Sequence, residues 1–156
     1  MAHRTRTLPL ALLVLTQLSC SAPVQPPAPP APSRPPFLAP CPASPNCVSS
    51  QAADAEHYVE PLRLVDDPAQ AMDELRRIIE SMPRTRIVAA SPTALHAEFS
   101  SRIFRFVDDV DLQLDAGARV VQIRSASRTG YSDLGVNRRR VEAIREKFAS
   151  QSALHG

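Results

Sequence analysis

The stretch that decides the fold is residues 104–127, FRFVDDVDLQLDAGARVVQIRSAS. Its apolar and polar side chains alternate with a period of two, which is typical of β-strands with one buried face. The apolar side chains occupy even positions from Phe104 to Leu114, and Val121 and Ile123 continue the pattern after the turn DAGA. The stretch therefore predicts a long antiparallel hairpin, joined by a tight turn.

The apolar residues also select a register for this hairpin. If Leu114 pairs with Arg119, the apolar side chains of the two strands face one another. That register places Asp109 opposite Arg124 and predicts an ion pair between them. It also places Asp108 on the apolar face, where a carboxylate requires a charged partner or hydrogen bonds.

The elements around the hairpin follow from periodicity and capping signals. A helix begins at Pro68 with Asp67 as its N-cap, carries an apolar stripe at helical spacing, and ends before Pro83. Further strands are predicted at residues 62–65, 86–90 and 95–99, and a last helix covers residues 137–150. This order predicts an α+β domain, an antiparallel sheet of about four to five strands with two helices packed on one face.

Charge separates the domain from the segment that precedes it. The whole chain has 18 basic and 16 acidic residues, for a formal net charge of +2. Residues 46–156, the predicted single globular domain, hold 15 of the basic residues and all 16 acidic ones, so their net charge is −1. A domain without a basic excess is not a general polyanion binder, and we expect no nucleic-acid partner.

The N-terminus has the features of an export signal. Two arginines precede an apolar stretch of eleven residues, 8–18, which is too short for a membrane-spanning helix of about 20 residues. The string Leu18-Ser19-Cys20 then resembles the end of a bacterial lipoprotein signal peptide, although Gln17 departs from that pattern. The resemblance predicts a signal peptide over residues 1–20, a palmitate-type lipid on Cys20, and a domain that faces the periplasm from a membrane of the cell envelope. The alternative is ordinary cleavage after Ala22, which would leave a soluble secreted protein.

Residues 21–45 separate this signal from the domain. Of these 25 residues 11 are proline, and Arg34 is the only charged one. Proline fixes φ and lacks an N–H, so the segment predicts a disordered, extended polyproline II tether. A ligand for proline-recognising domains is the alternative interpretation.

Two of the three cysteines are predicted to form a disulfide. With Cys20 assigned to lipid, Cys41 and Cys47 form an even pair, which favours a short-loop disulfide in an oxidising compartment. A metal site would need two more ligands, and only His57 and a few carboxylates are near. We therefore expect neither a metal nor a cofactor.

Charges are concentrated locally although the domain is nearly neutral. Four aspartates lie within residues 107–115, and five arginines lie within residues 124–140 against the single acid Asp133. The three arginines at residues 138–140 start a helix whose dipole opposes them, so acids or a bound anion must offset their charge. The candidate site is either a structural ion-pair network or a polar pocket at the end of the sheet. Its members are Asp108, Asp109, Arg124, Ser125, Ser127, Arg128, Asp133, Asn137 and Arg140.

Several strings of the chain resemble one family. They are CPASPNCVSS at 41–50, FRFVDDVDLQLD at 104–115 and RSASRTGYSDLGVNRRRVEAIREKF at 124–148. They are similar to the uncharacterised family known as domain of unknown function 1499, found in bacterial and plant proteins, and the similarity extends from residue 40 to residue 149. The resemblance implies a small envelope or lumenal domain centred on the candidate residues. It implies no activity, substrate or cofactor.

Two functions fit these observations. The first is a tethered binding or scaffold module that recognises an acidic group on a small molecule, a lipid headgroup or an acidic protein segment. The second is a hydrolase that uses Asp108 as acid or base and the arginines to stabilise an oxyanion. A pocket that exposes Asp108 beside Ser125 or Ser127 would favour catalysis, and a sealed Asp–Arg network would favour the first function. Since no catalytic motif such as GxSxG or HExxH occurs, we assign no catalytic residue.

Overall fold

The computed structural model describes residues 38–65, 67–102 and 105–155, with side chains as far as Gln151. The predicted signal peptide, the lipidation cysteine Cys20 and tether residues 21–37 lie outside the described residues, and so does Phe104. All described residues belong to one compact unit. Among them, neither helix combines the length and apolar content that crossing a bilayer requires.

The described elements in chain order are β1 (Cys47–Ser49), β2 (Leu62–Arg63), α1 (Pro68–Ser81), β3 (Thr85–Ala90), β4 (Ala94–Ser100), β5 (Val107–Asp115), β6 (Val120–Ser127) and α2 (Val136–His155). The six strands form one antiparallel sheet in the order β1-β6-β5-β4-β3, and β2 pairs with β6 on the same side as β1. The α+β prediction is confirmed. The sequence did not predict β1, and the strand expected at 62–65 is only two residues long.

Both helices cover the same face of the sheet. Ile79 of α1 and Ile144 of α2 belong to one buried cluster with Val110 of β5 and Ile123 of β6. Burying a side chain of this kind contributes about 1.5–3 kcal/mol relative to leaving it in water. Because both helices pack on strand residues that share one face, the predicted layer arrangement is confirmed.

The helix ends follow local signals in the sequence. Asp67 Oδ1 accepts from the Ala69 N–H at 2.9 Å and caps α1, with Pro68 as the first helical residue, as predicted. At the other end, Thr85 Oγ1 contacts the carbonyl of Met82 at 2.9 Å. The second helix extends to His155, five residues beyond its predicted end.

The turn between β5 and β6 sets a register different from the predicted one. Asp115 pairs with Val120, so the turn comprises residues 116–119. The Ala118 N–H donates to Asp115 Oδ1 at 3.1 Å, and Arg119 adopts the left-handed conformation with a φ of 52°. A non-glycine residue rarely takes that conformation, and this is why the sequence did not reveal the turn.

The change of register alters the charge pairs but preserves the faces. Asp109 lies opposite Ala126 and Arg124 lies opposite Asp111, so the predicted pair of Asp109 with Arg124 is wrong. Since partners move by two residues and strand side chains alternate with a period of two, Asp108 keeps its place on the buried face.

The strand β5 also begins later than its pattern suggests. It starts at Val107, and Phe106 lies before it with 53% of its surface exposed. The Phe106 N–H donates to Ser101 Oγ at 2.9 Å, and its carbonyl accepts from the Ser101 N–H at 2.8 Å. Arg105, with a φ of 51°, turns the chain between them. The loop therefore closes on itself and ends the alternation.

Packing on the domain begins ahead of residue 46. Leu38 is buried, and its N–H donates to Gln51 Oε1 at 3.0 Å. The described fold therefore includes the residues that lead into the disulfide loop.

Candidate functional site

Four loops meet at one end of the sheet, which we call the loop end. Strand pairing places the starts of β1, β3 and β5 beside the ends of β4 and β6. The loop end therefore brings together the disulfide loop (41–47), the α1–β3 loop (82–84), the described residues of the β4–β5 loop (101–102 and 105–106) and the β6–α2 loop (128–135).

Asp108 lies on the buried face of β5 with 6% of its surface exposed. Arg140, from the beginning of α2, donates through Nη2 to Asp108 Oδ2 at 2.5 Å. The same guanidinium lies over the ring of Phe99, 4.7 Å from the ring centroid. The buried carboxylate thus has the charged partner that it requires.

Asn137 is fully buried and connects this ion pair to the disulfide loop. Its Oδ1 accepts from Ser125 Oγ and from Arg140 Nη1, both at 2.6 Å. Its Nδ2 donates to the Asn46 carbonyl and to Ser127 Oγ, both at 3.0 Å. Every donor and acceptor of the buried amide is therefore satisfied.

The geometry at Ser125 does not suit a nucleophile. The residue is fully buried, donates its hydroxyl proton to Asn137 and accepts from Arg140 Nη1 at 3.0 Å. A catalytic serine needs a base within hydrogen-bond reach, whereas the Asp108 carboxylate is held by Arg140 and hydrogen-bonds to neither Ser125 nor Ser127. The Asp108 carboxylate is therefore committed to its ion pair with Arg140 and is not positioned as a base for either serine.

A cleft of about 310 Å³ opens at the loop end, with Asp108 and Arg140 in its wall. Arg84 and Arg139 also line it, and neither forms an ion pair with any described residue. Because Arg140 neutralises Asp108, the one acid in the lining, two guanidinium groups remain uncompensated. The rest of the wall consists of Met82, Pro83, Phe99, Ser100, Ser101 and Val136.

Backbone groups fix the two uncompensated arginines. Arg84 Nε donates to the Ser100 carbonyl at 3.1 Å, and Arg139 Nη1 donates to the Leu134 carbonyl at 2.9 Å. Gly135 has a φ of 76°, and a Cβ there would lie 3.1 Å from Arg139 Nη1. Glycine therefore serves both the turn and the approach of the arginine.

The chain matches the family described as protein of unknown function DUF1499 over residues 37–148. It belongs to this family. No curated protein matches the chain. The matched region contains the cleft, the Asp108–Arg140 pair and the Asn137 network, so all three belong to the DUF1499 domain.

Other candidate residues lie on the opposite face of the DUF1499 sheet. Arg128 donates to Asp109 through Nε at 2.9 Å and Nη2 at 2.7 Å, and to Glu98 at 2.6 Å. Hydrogen bonds to Asp109 and then Glu98 raise the pKa of Arg128, and the bonds from Arg128 and Arg86 lower the pKa of Glu98. These groups form a surface ion-pair network, separate from the cleft.

His96 offers a further interpretation of this face. Its Nδ1 lies 2.7 Å from Asp111 Oδ1, and its Nε2 lies 3.4 Å from Asp109 Oδ1. Ligand atoms of His96, Glu98 and Asp109 lie within 4.8 Å of one another, a spacing that a metal ion could bridge. Arg128, however, donates to both carboxylates, so its guanidinium already supplies the positive charge that a metal would bring.

The two remaining candidates, Asp133 and Arg124, have local structural roles, and so does Arg138, which was not a candidate. Asp133 caps α2, since its Oδ1 accepts from the Gly135 N–H at 2.8 Å and its Oδ2 from the Asn137 N–H at 2.6 Å. Arg138 donates to two backbone carbonyls of the β1–β2 connection at 2.6 and 2.8 Å. Arg124 donates to an Asp111 carboxylate at 3.4 Å. Within the described part, acids offset only one of the three arginines that start α2, namely Arg140.

The predicted disulfide between Cys41 and Cys47 is confirmed, with an S–S distance of 2.05 Å. For so short a loop, the loss of unfolded-state entropy stabilises the fold by about 2 kcal/mol. His57 is buried against this loop, with Nε2 3.3 Å from the Ser44 carbonyl and Nδ1 2.7 Å from Asp54 Oδ1. Burial opposes the charged form of His57, but hydrogen bonds to Asp54 and Ser44 raise its pKa. A covalent bond and a buried histidine therefore both hold the loop.

Four residues of the site escaped the sequence-based selection, and one of them is Arg139, which was noted only as one of the three arginines that start α2. Asn46 donates through Nδ2 to the Gly130 carbonyl at 2.6 Å. It is the first residue of NCVSS, a string that carried the family resemblance, so that resemblance could have identified it. Phe99 was assigned only to the core. For Arg84 the sequence held no signal, because its position depends on a left-handed backbone conformation with a φ of 60°.

Proposed function

We propose that the cleft at the loop end binds an acidic group, and that the domain is a binding module held at a membrane of the bacterial envelope. The observation that carries the proposal is the pair of uncompensated arginines, Arg84 and Arg139, in one concave wall. Guanidinium groups donate several hydrogen bonds in a fixed plane, which suits carboxylate and phosphate oxygens. The nearby Ser100 and Ser101 hydroxyls add neutral donors.

A larger groove elsewhere supports this choice by contrast. It measures about 520 Å³ and lies between β2 and the middle of α2. Its two acids, Glu60 and Glu142, balance its two arginines, Arg63 and Arg145. Arg145 already pairs with Glu142 at 2.9 Å. The charge of that groove therefore selects no ion, whereas the charge of the cleft favours an anion.

The cleft is tested with inorganic phosphate as the probe. The fragment 34–156 retains the whole described core, so it serves as the folded protein. We expect phosphate to shift the amide NMR signals of Ser100, Ser101 and Gly135. Arg84→Gln combined with Arg139→Gln should weaken this binding about tenfold or more, since each change removes a charge-assisted hydrogen bond.

The matched control changes two exposed arginines at the other end of the sheet, Arg63→Gln with Arg76→Gln. It removes the same amount of charge and should leave phosphate binding unchanged. Equal weakening in both double variants would mean that general charge attracts the anion. Absence of any shift with the unaltered fragment would refute the cleft as an anion site.

The membrane location rests on the N-terminal sequence and is supported by the disulfide. Cys20 follows an apolar stretch of signal-peptide size, and a Pro-rich segment separates it from the domain. The Cys41–Cys47 bridge fits an oxidising compartment such as the periplasm. We propose that Cys20 carries the lipid and that residues 21–37 form the tether.

Lipidation is tested with labelled palmitate in a bacterial host. The label should enter the unaltered protein and should be absent from Cys20→Ser. As a control, Cys47→Ser should keep the label, because that cysteine belongs to the disulfide. Labelling that survives the change at Cys20, or that is missing from every variant, contradicts the anchor.

A further inference from the structure

Three residues of the loop end adopt a backbone conformation that side chains disfavour. Arg84, Arg105 and Leu134 have φ values of 60°, 51° and 53°, and each lies in a different loop. Glycine takes this conformation without cost, whereas larger residues persist there only when the surrounding structure imposes it. Although Arg119 in the β5–β6 turn has the same conformation, such residues are frequent at functional sites, so the three side chains of the loop end are candidates for a role beyond folding.

Exposed apolar side chains concentrate at the same end. Tyr131 and Leu134 are 75% and 83% exposed, and Phe106 and Val136 are also exposed. The protein covers almost none of Leu134, so this side chain projects outward and lines no groove. A projecting apolar tip suits a fluid interface, into which it can insert, better than a folded partner that would need a matching pocket.

The charge around these tips is positive. Arg102 and Arg105 both precede Phe106 in sequence and pair with no described acid, like Arg84 and Arg139 in the cleft. The acids nearby are already engaged, since Asp133 caps α2 and Asp108 binds Arg140. The loop end therefore presents apolar tips among unpaired arginines, although the domain as a whole is slightly acidic.

We propose that the loop end docks on the surface of an anionic phospholipid bilayer. Tyr131 and Leu134 enter the interfacial layer, and Arg102 and Arg105 lie over headgroup phosphates. The cleft takes one headgroup phosphate between Arg84 and Arg139, and this part of the inference rests on the proposed function. A few side chains bind a bilayer weakly, but the proposed lipid on Cys20 would keep the domain at high local concentration beside it.

Vesicle flotation of the fragment 34–156 tests this surface without the lipid anchor. We expect the fragment to float with vesicles of phosphatidylcholine and phosphatidylglycerol in equal parts, and not with phosphatidylcholine alone. Added salt should release it, because exposed charges are screened. Arg102→Gln with Arg105→Gln should lower partitioning on the order of tenfold or more. The matched control Arg63→Gln with Arg76→Gln should float like the unaltered fragment.

A second variant separates docking from folding. Tyr131→Ser with Leu134→Gly leaves the net charge unchanged and should reduce flotation severalfold. Its urea midpoint should stay the same or rise, since glycine adopts the φ of 53° without strain.

The outcomes distinguish this inference from the proposed function. If phosphate binds the cleft but even the unaltered fragment does not float, the acidic group belongs to a soluble molecule or a protein, and the inference is overturned. Equal flotation of control and loop-end variants also overturns it. If the unaltered fragment floats and the loop-end variants do not, docking is supported. If Arg84→Gln with Arg139→Gln then leaves flotation unchanged, docking does not depend on a headgroup in the cleft, and only that part of the inference is refuted.

Discussion

Asp108→Ala is expected to destabilise the domain by about 3–5 kcal/mol, the usual cost of leaving one member of a buried ion pair without its partner. Asp108 and Arg140 are both largely buried, and Arg140 lies over Phe99 with little access to water. Removing the carboxylate leaves the guanidinium charge with only neutral acceptors, Ser125 and Asn137. The measurement is urea unfolding of the fragment 34–156.

The matched control is Asp111→Ala in the same strand. Asp111 lies on the opposite face, is only partly buried, and contacts His96 and Arg124 near solvent. Ion pairs of that kind contribute about 0–1 kcal/mol, so the loss should stay within about 1 kcal/mol. Similar small losses for both variants would mean that water reaches Asp108 and that the cleft extends into the network.

Asn137→Leu should cost about 3–5 kcal/mol, because leucine keeps the branching of the side chain but replaces its polar ends with bulkier methyl groups. The change leaves Ser125 Oγ, Ser127 Oγ and the Asn46 carbonyl without the partner that the amide supplies. Each of the four hydrogen bonds lost contributes about 0.5–1.5 kcal/mol, and the one from charged Arg140 more, although Ser125 Oγ and the Asn46 carbonyl each keep one other partner. Thermal or urea unfolding measures the loss, and Gln113→Leu, an amide change on the outer face of β5, should stay within about 1 kcal/mol.

A double variant tests whether the two residues act as one unit. Asp108→Ala and Asn137→Leu each remove acceptors of the same arginine, Arg140. Their effects should therefore couple, and the double variant should lose less stability than the sum of the two single losses. Strict additivity would show that the ion pair and the amide network are independent.

The sequence predicted the faces of the strands better than their pairing. Asp108 was placed on the buried face by parity alone, and parity survives an error of two residues in register. The predicted register was wrong because Arg119 adopts a left-handed conformation that arginine rarely takes. Turn geometry here depends on hydrogen bonds to Asp115 and Ala116, which no apolar pattern encodes.

The candidate site was predictable only where its residues share a local pattern. The arginines after residue 124 and the inward carboxylate indicated a network, and the structure joins Asp108, Arg140 and Asn137. Arg128 lies on the opposite face, because the alternation of inward and outward side chains along β6 turns the next residue outward. Arg84 joins the cleft from a distant part of the chain, through the packing of α1 and β3 on the sheet, so sequence spacing carried no information about it.

The disulfide loop also determines how a mechanical load would enter the domain. A pull on the chain ahead of Cys41 passes through the sulfur bridge directly to Cys47 and so bypasses the residues between them. The load then falls on β1, which pairs along β6. The Asn46 carbonyl lies off this path and accepts from the Ser127 N–H and from Asn137 Nδ2, so the buried amide that supports the ion pair holds the bypassed loop to the sheet while the bridge carries the load.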